Sequence, residues 1–204
     1  MIYVKENKSF YYMEDEFLNR KMGILKDKKI YHGRPEDVRI PKEEMAYDLL
    51  EKCNVEFDRI DHEPANTIEQ CLEVDRLFGM EICKNLFLCN ASRTNYYLLL
   101  MPGAKKFRTA ELSKQIGSSR LSFAPYEDLE KMLDLTAGSV TVMGLMNDAD
   151  KKVRLLIDED VLKSEFFGCH PMINTSSIRF KTSDLTQKLL PEMEHEFIEV
   201  YLEG

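Results

Sequence analysis

The sequence predicts an α+β fold built mainly on an antiparallel sheet. Short β-prone runs follow one another at hairpin spacing, and helical patterns interrupt them without the regular β-α-β alternation of a doubly wound sheet. The chain has 204 residues and is 44% hydrophobic, which is enough to bury one sizeable core. We therefore expect one main domain at residues 41–204, preceded by an N-terminal extension at residues 1–40.

The predicted extension begins with a β-hairpin. Apolar residues 2–4 and 10–13 flank a polar turn, which is typical of two paired strands. A short polar helix at residues 14–20 and a charged connector at residues 21–40, with glycine and proline in it, follow.

The main domain is predicted to open with a helix from Pro41 to Cys53. Proline suits the first helical turn, and apolar residues then recur at helical spacing. Residues 55–60 alternate as a strand does. Asn66 or Thr67 can cap a second helix, which Gly79 ends.

The centre of the sheet is predicted at residues 86–89, an apolar run typical of a strand buried on both faces. Residues 96–101 are its natural antiparallel partner. Lys84 stands at the entrance of this strand. A buried ammonium there needs a carboxylate, carbonyl groups or an anionic ligand. The alternative is that the Lys84 side chain extends to the rim and pairs with a nearby acid.

The C-terminal half continues the same alternation of short elements. Strands are predicted at residues 121–124, 139–143, 153–157 and 177–181, with a last apolar stretch at 197–202. Helices are predicted at residues 109–117, 125–133 and 183–190, and a turn or short helix at 158–162.

Composition and motifs exclude several classes of protein. The formal net charge of -8 argues against a DNA-coating protein, although a local basic patch is compatible with it. No apolar run approaches the roughly 20 residues that span a bilayer, so we expect a cytoplasmic protein with no membrane partner. The five cysteines form no C-x-x-C pair, the histidines lack metal-pair spacing, and no Gly-rich phosphate loop occurs. We expect no metal and no cofactor.

One segment of this acidic chain is basic. Between Gly103 and Arg120 there are five cations and one carboxylate. The cations are Lys105, Lys106, Arg108, Lys114 and Arg120. Such a segment is either a nucleic-acid contact or a solvated charged face.

Two histidines stand in distinctive surroundings. His62 lies between Asp61 and Glu63, but neighbours in a strand point to opposite faces, which favours a solvated surface cluster over an acid/base site. His170 lies between Cys169 and Pro171, where it is either a pocket residue or a satisfied core histidine.

Five short motifs in order resemble the YbaK/ProX-type aminoacyl-tRNA editing domains. They are Lys84-Asn85-Leu86-Phe87-Leu88, Leu121-Ser122-Phe123-Ala124, Gly138-Ser139-Val140-Thr141, Leu145-Met146-Asn147-Asp148, and His170-Pro171 with Asn174. The resemblance covers roughly residues 41–190 and is strongest to the free-standing PrdX/ProX branch, which is similar to the editing insertion of bacterial prolyl-tRNA synthetase. Where that family commonly has a proline after Gly-Ser-Val-Thr, this chain has Val142.

The resemblance implies a mixed, partly barrel-like sheet and a metal-independent ester hydrolase. Its substrate would be mischarged tRNA(Pro), most often carrying alanine, and in a related branch cysteine. The partners implied are the acceptor 3′ end of that tRNA and prolyl-tRNA synthetase. The substrate's own ribose hydroxyl would activate the attacking water.

The resemblance also implies roles for individual residues. The catalytic group would be Lys84, Gly138 and Ser139, with Lys84 holding the terminal nucleotide or the scissile carbonyl and the amides of Ser139 and Val140 facing the ester oxygen. The acyl group would be contacted by Asn85, Val140, Thr141, His170 and Asn174. The tRNA would be contacted by Lys105, Lys106, Arg108 and Arg120.

Two alternatives to a hydrolase stay open. A noncatalytic protein of the same fold could sense aminoacyl-tRNA or a small amino acid, and it would bind without turnover. An acidic α+β protein without a site would leave Lys84 exposed and replaceable, and Gly138 would be an ordinary turn glycine.

Overall fold

A computed structural model describes residues 24–64 and 68–203 of the chain. The predicted N-terminal hairpin and polar helix, and the predicted caps Asn66 and Thr67, lie outside the described residues. The described strands form two sheets with short helices around them, which confirms the mixed α+β class. Neither sheet closes on itself, so the partly barrel-like shape implied by the resemblance is replaced by two open sheets.

Nine strands are present in the described part of the chain. They are β1 (Tyr31–His32), β2 (Asp58–Asp61), β3 (Lys84–Asn90), β4 (Tyr96–Met101), β5 (Leu121–Phe123), β6 (Val153–Asp158), β7 (Phe166–Cys169), β8 (Ser176–Lys181) and β9 (Phe197–Val200). The helices are α1 (Pro41–Lys52), α2 (Ile68–Phe78), α3 (Thr109–Gln115), α4 (Tyr126–Leu133), a 3-10 helix (Val142–Asn147) and α5 (Glu159–Lys163). A last helical segment joins α6 (Thr182–Asp184), a π-helical turn (Leu185–Leu189) and α7 (Leu190–Glu192).

The five-stranded sheet, in the order β5-β3-β4-β6-β9, holds the larger part of the core. Its centre is the predicted β3–β4 hairpin, whose turn is fastened because the Asn90 side-chain oxygen accepts from the amides of Thr94 and Asn95. β6 runs parallel to β4 and β9 parallel to β6, so this sheet is mixed. Apolar side chains cover both of its faces, as the uninterrupted apolar run of β4 predicts.

The four-stranded sheet, in the order β1-β2-β8-β7, is antiparallel throughout. Part of the predicted connector belongs to it, because β1 pairs with β2 and Ile24 is buried against the same region. β7 was absent from the sequence prediction. A domain boundary at residue 40 stays a prediction.

The strand predicted at residues 139–143 is wrong. The chain turns through Gly138–Thr141 and then forms the 3-10 helix. The Thr141 hydroxyl caps this helix by accepting from the Met143 amide, and Gly144 lies so close to Leu135 that a Cβ there would be 2.6 Å from its Cδ1. Burial of the apolar residues on a helical turn thus outweighs their β-propensity.

None of the helices in residues 24–64 and 68–203 has the length and apolar character needed to cross a membrane.

Candidate active site

A cavity of about 290 Å³ lies where residues of both sheets meet. Its polar lining includes Lys84 from β3, His170 from the end of β7, Ser177 from β8, and His62 just after β2. Its apolar wall comes from α2 and from the segment before β3, through Cys71, Leu72, Val74, Ile82 and Cys83. Asp75, Glu81, Gly103, Gly138 and Asn174 complete the lining.

Lys84 is exposed at the cavity, as in the sequence alternative in which its side chain extends to the rim. Its ammonium donates to the carbonyl oxygen of Lys105 at 3.4 Å. Among the described residues no carboxylate lies within 4.0 Å of it. The positive charge is therefore open to an anionic or strongly polar ligand in the cavity.

Gly138 and Asn174 face each other across one side of the cavity. Gly138 has a φ of 83°, which favours glycine, and a Cβ at this position would lie 3.5 Å from the Asn174 side-chain nitrogen. Both residues predicted here therefore line the cavity. Without a side chain at residue 138, a ligand can approach the backbone directly.

The Ser139 amide is not available to an ester oxygen, because it donates to the Thr136 carbonyl at 3.1 Å. The Ser139 hydroxyl is buried and bonded to the same carbonyl at 3.0 Å. The amide of Val140 has no hydrogen-bond acceptor among the described residues. Of the two amides predicted to face the ester, only that of Val140 remains a candidate donor.

Three predicted substrate contacts lie outside the cavity lining, and Val140 is one of them. Thr141 is fully buried, and its hydroxyl donates to the His170 carbonyl at 2.7 Å, so it fastens the glycine loop to the histidine segment. Asn85 points to the opposite face of β3 from Lys84, and its side-chain nitrogen donates to the Cys83 carbonyl at 3.1 Å. Both residues are corrected from ligand contacts to supports of the loops around the cavity.

His170 is a neutral imidazole in the cavity wall. Its Nδ1 lies 2.8 Å from the Ser176 carbonyl oxygen, which can only accept, so Nδ1 carries the proton and Nε2 is the acceptor nitrogen. The pKa of His170 is lowered to about 4, mainly by burial and in smaller part by the nearby His62 ring, while the hydrogen bond to the Ser176 carbonyl opposes the shift. Near neutral pH this residue can accept a hydrogen bond or a proton but carries no charge.

His62 is buried, not solvated, with only 1% of its surface exposed. Its Nδ1 donates to the Glu63 carbonyl at 2.8 Å, so its Nε2 accepts from the Ser177 hydroxyl at 2.9 Å. The Ser177 oxygen in turn lies 3.5 Å from Nδ1 of His170. Burial lowers the pKa of His62. A polar chain therefore links two neutral histidines through Ser177.

The sequence pattern did not predict this chain of hydrogen bonds. The alternation of side chains along a strand placed His62 on the opposite face from its acidic neighbours. It did not show whether that face is buried or exposed. Ser177 carried no motif at all. The Pro64 that follows was the available signal, because a proline ends strand pairing and here it comes two residues after His62, whose amide still donates to the Thr175 carbonyl.

Acidic side chains and thiols also line the cavity. Burial raises the pKa of the Cys83 thiol to about 12, so this thiol is inert. Burial also raises the pKa of Asp75, and the negative charge of Glu81 adds to the effect. All five cysteines are free, and Cys71 is exposed at the cavity. The described residues contain no group of three His, Cys, Asp or Glu side chains placed to hold a metal ion.

Lys105 is not a free tRNA-binding cation. Its ammonium lies 2.9 Å from a carboxylate oxygen of Asp158, which is fully buried, and 2.7 Å from one of Asp160. The prediction for this residue is corrected to a structural ion pair. Lys106, Arg108 and Arg120 are exposed, and their contact with tRNA stays a prediction.

Comparisons with known proteins identify the family. The model of the aminoacyl-tRNA editing domain matches residues 62–188. "Prolyl-tRNA editing protein ProX" of Acetoanaerobium sticklandii is 32% identical over 136 residues, which cover 67% of this chain and 83% of that protein. "Prolyl-tRNA synthetase associated domain-containing protein 1" of Danio rerio is 29% identical over 164 residues, 79% of this chain and 85% of that protein.

A solved structure shares the fold. A crystal structure provisionally named as a trans-editing enzyme for prolyl tRNA synthetase matches 82% of this chain and 99% of that chain, with a TM-score of 0.60 and 17% identity. The editing-domain model covers more than half of the chain, and it includes Lys84, Gly138 and His170. The chain belongs to the YbaK/ProX family of aminoacyl-tRNA editing domains.

Proposed function

We propose that this protein is a trans-editing deacylase that hydrolyses mischarged tRNA(Pro), with Ala-tRNA(Pro) as its main substrate. The observation that carries the proposal is the exposed Lys84 ammonium at an apolar cavity, with no carboxylate beside it among the described residues. The names of the ProX relative and of the synthetase-associated relative support tRNA(Pro) as substrate and prolyl-tRNA synthetase as partner. The proposed place of action is the cytoplasm, where tRNA is charged.

The proposed chemistry is cleavage of the ester between an amino acid and the terminal ribose. Attack by water on the ester carbonyl develops negative charge on its oxygen. The Lys84 ammonium and the Val140 amide are the donors that would stabilise this oxygen, and the substrate's vicinal ribose hydroxyl would orient the water. Neutral His170 would accept a hydrogen bond through Nε2 on the acyl side of the cavity.

The proposed choice of alanine rests on the size and character of the cavity wall. Small and medium apolar side chains form one wall of the space, and that wall suits a small uncharged acyl side chain. A pocket of this kind excludes a group that is too large, but it separates groups differing by one methylene by only about 1–3 kcal/mol. Cysteine is therefore the competing substrate.

The test is the rate at which labelled amino acid is released from alanyl-, cysteinyl- and prolyl-tRNA(Pro). We expect the wild-type protein to release alanine fastest and to leave proline in place, and we expect Lys84→Ala to release little of any. Tight binding of all three without release would replace the hydrolase with a sensor of aminoacyl-tRNA. Neither binding nor release would remove tRNA(Pro) as the ligand.

A further inference from the structure

A surface next to the cavity combines aromatic rings with exposed cations. It comprises Lys106, Phe107, Arg108, Arg120 and Phe123, which we call the basic aromatic strip. We propose that this strip binds the single-stranded 3′ end of the tRNA as it enters the cavity, an inference that rests on the proposed function. The reasons are the continuity of the strip with Lys84, the exposure of its ring, and the sign of its charge.

The strip begins at the cavity. The Lys84 ammonium donates to the carbonyl of Lys105, and two residues further on the Phe107 ring meets the Phe123 ring edge-on, with centroids 6.2 Å apart. Phe123 pairs with Leu88 of β3, four residues along the strand from Lys84. At about 3.3 Å per residue the strip therefore extends about 13 Å from Lys84, a span of a few nucleotides.

Phe123 offers a ring to stack on. It is 64% exposed although Leu88, its partner on β3, is fully buried. Phe107 is half-buried and packs on the core beneath, so its edge-on contact holds the Phe123 ring in place without covering it. A fixed, exposed ring is the feature on which unpaired bases stack in single-strand binding proteins.

The charges of the strip fit a phosphate backbone. Lys106, Arg108 and Arg120 are exposed, and none has a carboxylate within 4.0 Å among the described residues. The chain as a whole carries a net charge of -8, so a polyanion is repelled by most of its surface and attracted here. Rings interleaved with unpaired cations suit alternating bases and phosphates better than an apolar protein partner.

The opposite edge of the same sheet supplies a matched control. β9 also exposes an apolar side chain, Ile198, at 46%. Glu196 and Glu199 flank it, so an exposed apolar side chain here comes with the opposite charge. A nucleic acid should not bind at that edge.

The experiment measures binding of two uncharged RNA hairpins that reproduce the tRNA(Pro) acceptor stem, one with its single-stranded 3′ end and one cut back to the duplex. We expect the wild type to bind the complete hairpin about tenfold more tightly than the truncated one. Phe123→Ala should bind the complete hairpin about tenfold more weakly than the wild type and gain nothing from the 3′ end. Phe123→Trp should keep the gain, and Ile198→Ala should match the wild type.

Two results would overturn the proposal that the strip binds the 3′ end. Wild-type affinity in Phe123→Ala would remove the stacking role, and an equal loss for both hairpins would mean that the ring supports the fold or the duplex instead. A double variant, Lys106→Glu with Arg108→Glu, should also lower the slope of log affinity against log salt, by about one for each lost phosphate contact. Since binding is measured without hydrolysis, a strip that binds RNA would stand even if no aminoacyl ester were cleaved.

Discussion

Lys84 and Lys105 touch each other, yet their charges have opposite environments. The Lys84 ammonium donates to the Lys105 carbonyl and is otherwise exposed at the cavity. The Lys105 ammonium is only 12% exposed and is neutralised by Asp158 and Asp160. One lysine is thus available to a ligand, while its neighbour holds together the ends of β6 and the β4–α3 loop.

The difference shows why a count of charges along the sequence is a weak guide to binding. Lys105 looked like the first cation of a nucleic-acid patch because its sequence neighbours are basic. Its true partners, Asp158 and Asp160, lie more than fifty positions away. A charge can bind a ligand only if the fold leaves it without a counterion.

The largest effect is expected from the available lysine. Lys84→Ala should lower kcat/KM for Ala-tRNA(Pro) by about 10²–10³-fold, the usual effect of losing one donor to a developing oxyanion. Lys84→Arg should restore little, because a planar guanidinium does not replace a compact ammonium. The free energy of unfolding should change by less than about 0.5 kcal/mol, because the side chain is exposed. Thermal denaturation measures the stability of each variant, and single-turnover deacylation measures its activity. A fully active Lys84→Ala protein would refute the role of Lys84 as a donor to the oxyanion.

The structural lysine should give the reverse pattern. Lys105→Met leaves the buried Asp158 carboxylate with only the amides of Asp160 and Leu202, and we expect a loss of about 3 kcal/mol in the free energy of unfolding. Urea titration measures this loss. The control is Lys106→Met, an exposed neighbour with no carboxylate partner in the described part of the chain, which should unfold as the wild type does. Equal stabilities of the two variants would mean that the ion pair contributes nothing.

Much of the fold could be predicted because local pattern and tertiary packing agree. The helix from Pro41, the β3–β4 hairpin and the helix from Tyr126 combine a start signal with regular apolar spacing. Residues 139–143 show where this fails. Their β-prone composition was overruled by Thr141, whose hydroxyl caps a helical turn, and by the close packing of Gly144 on Leu135.

The site was predictable only in part, for a related reason. Lys84, Gly138 and His170 belong to motifs, whereas His62 and Ser177 reach the cavity through strand pairing that brings residues 61 and 176 together. Pairing between strands distant in sequence leaves no local pattern. The same applies to the acids that pair with Lys105.

The two cavity histidines differ in the same way as the two lysines. One is held by contacts within the protein, and the other is available to a ligand. His62 has both ring nitrogens engaged, while among residues 24–64 and 68–203 the His170 ring is bound through Nδ1 alone. The pKa of His170 is lowered to about 4, so the unfolded chain takes up a proton at a higher pH than the folded protein does. Stability should therefore be complete above about pH 6.5 and fall between about pH 6.5 and 4, by on the order of 3 kcal/mol.

This pH dependence is checked by urea titration of the wild type and of His170→Gln from pH 7 to pH 4. The variant should lose part of the slope, because residue 170 no longer titrates. The remaining slope belongs in part to His62, whose pKa is lowered in the same direction. An unchanged slope in His170→Gln would mean that burial of this ring does not set its protonation.

The smallest effect is expected from Ser177, which connects the committed histidine to the available one. Ser177→Ala breaks the chain from His62 to His170, and we expect kcat to fall about tenfold with KM almost unchanged, because the His170 ring is less well oriented toward the acyl group. Ser176→Ala is the matched control. It also removes a buried hydroxyl from β8, but one that donates to the Ile60 carbonyl and does not line the cavity. A structural role would lower the stability of both variants alike and leave kcat similar in both. Only a fall in kcat confined to Ser177→Ala shows that the hydrogen-bond chain from His62 helps to position His170. The two histidines would then differ because of their hydrogen-bond partners rather than because of their burial.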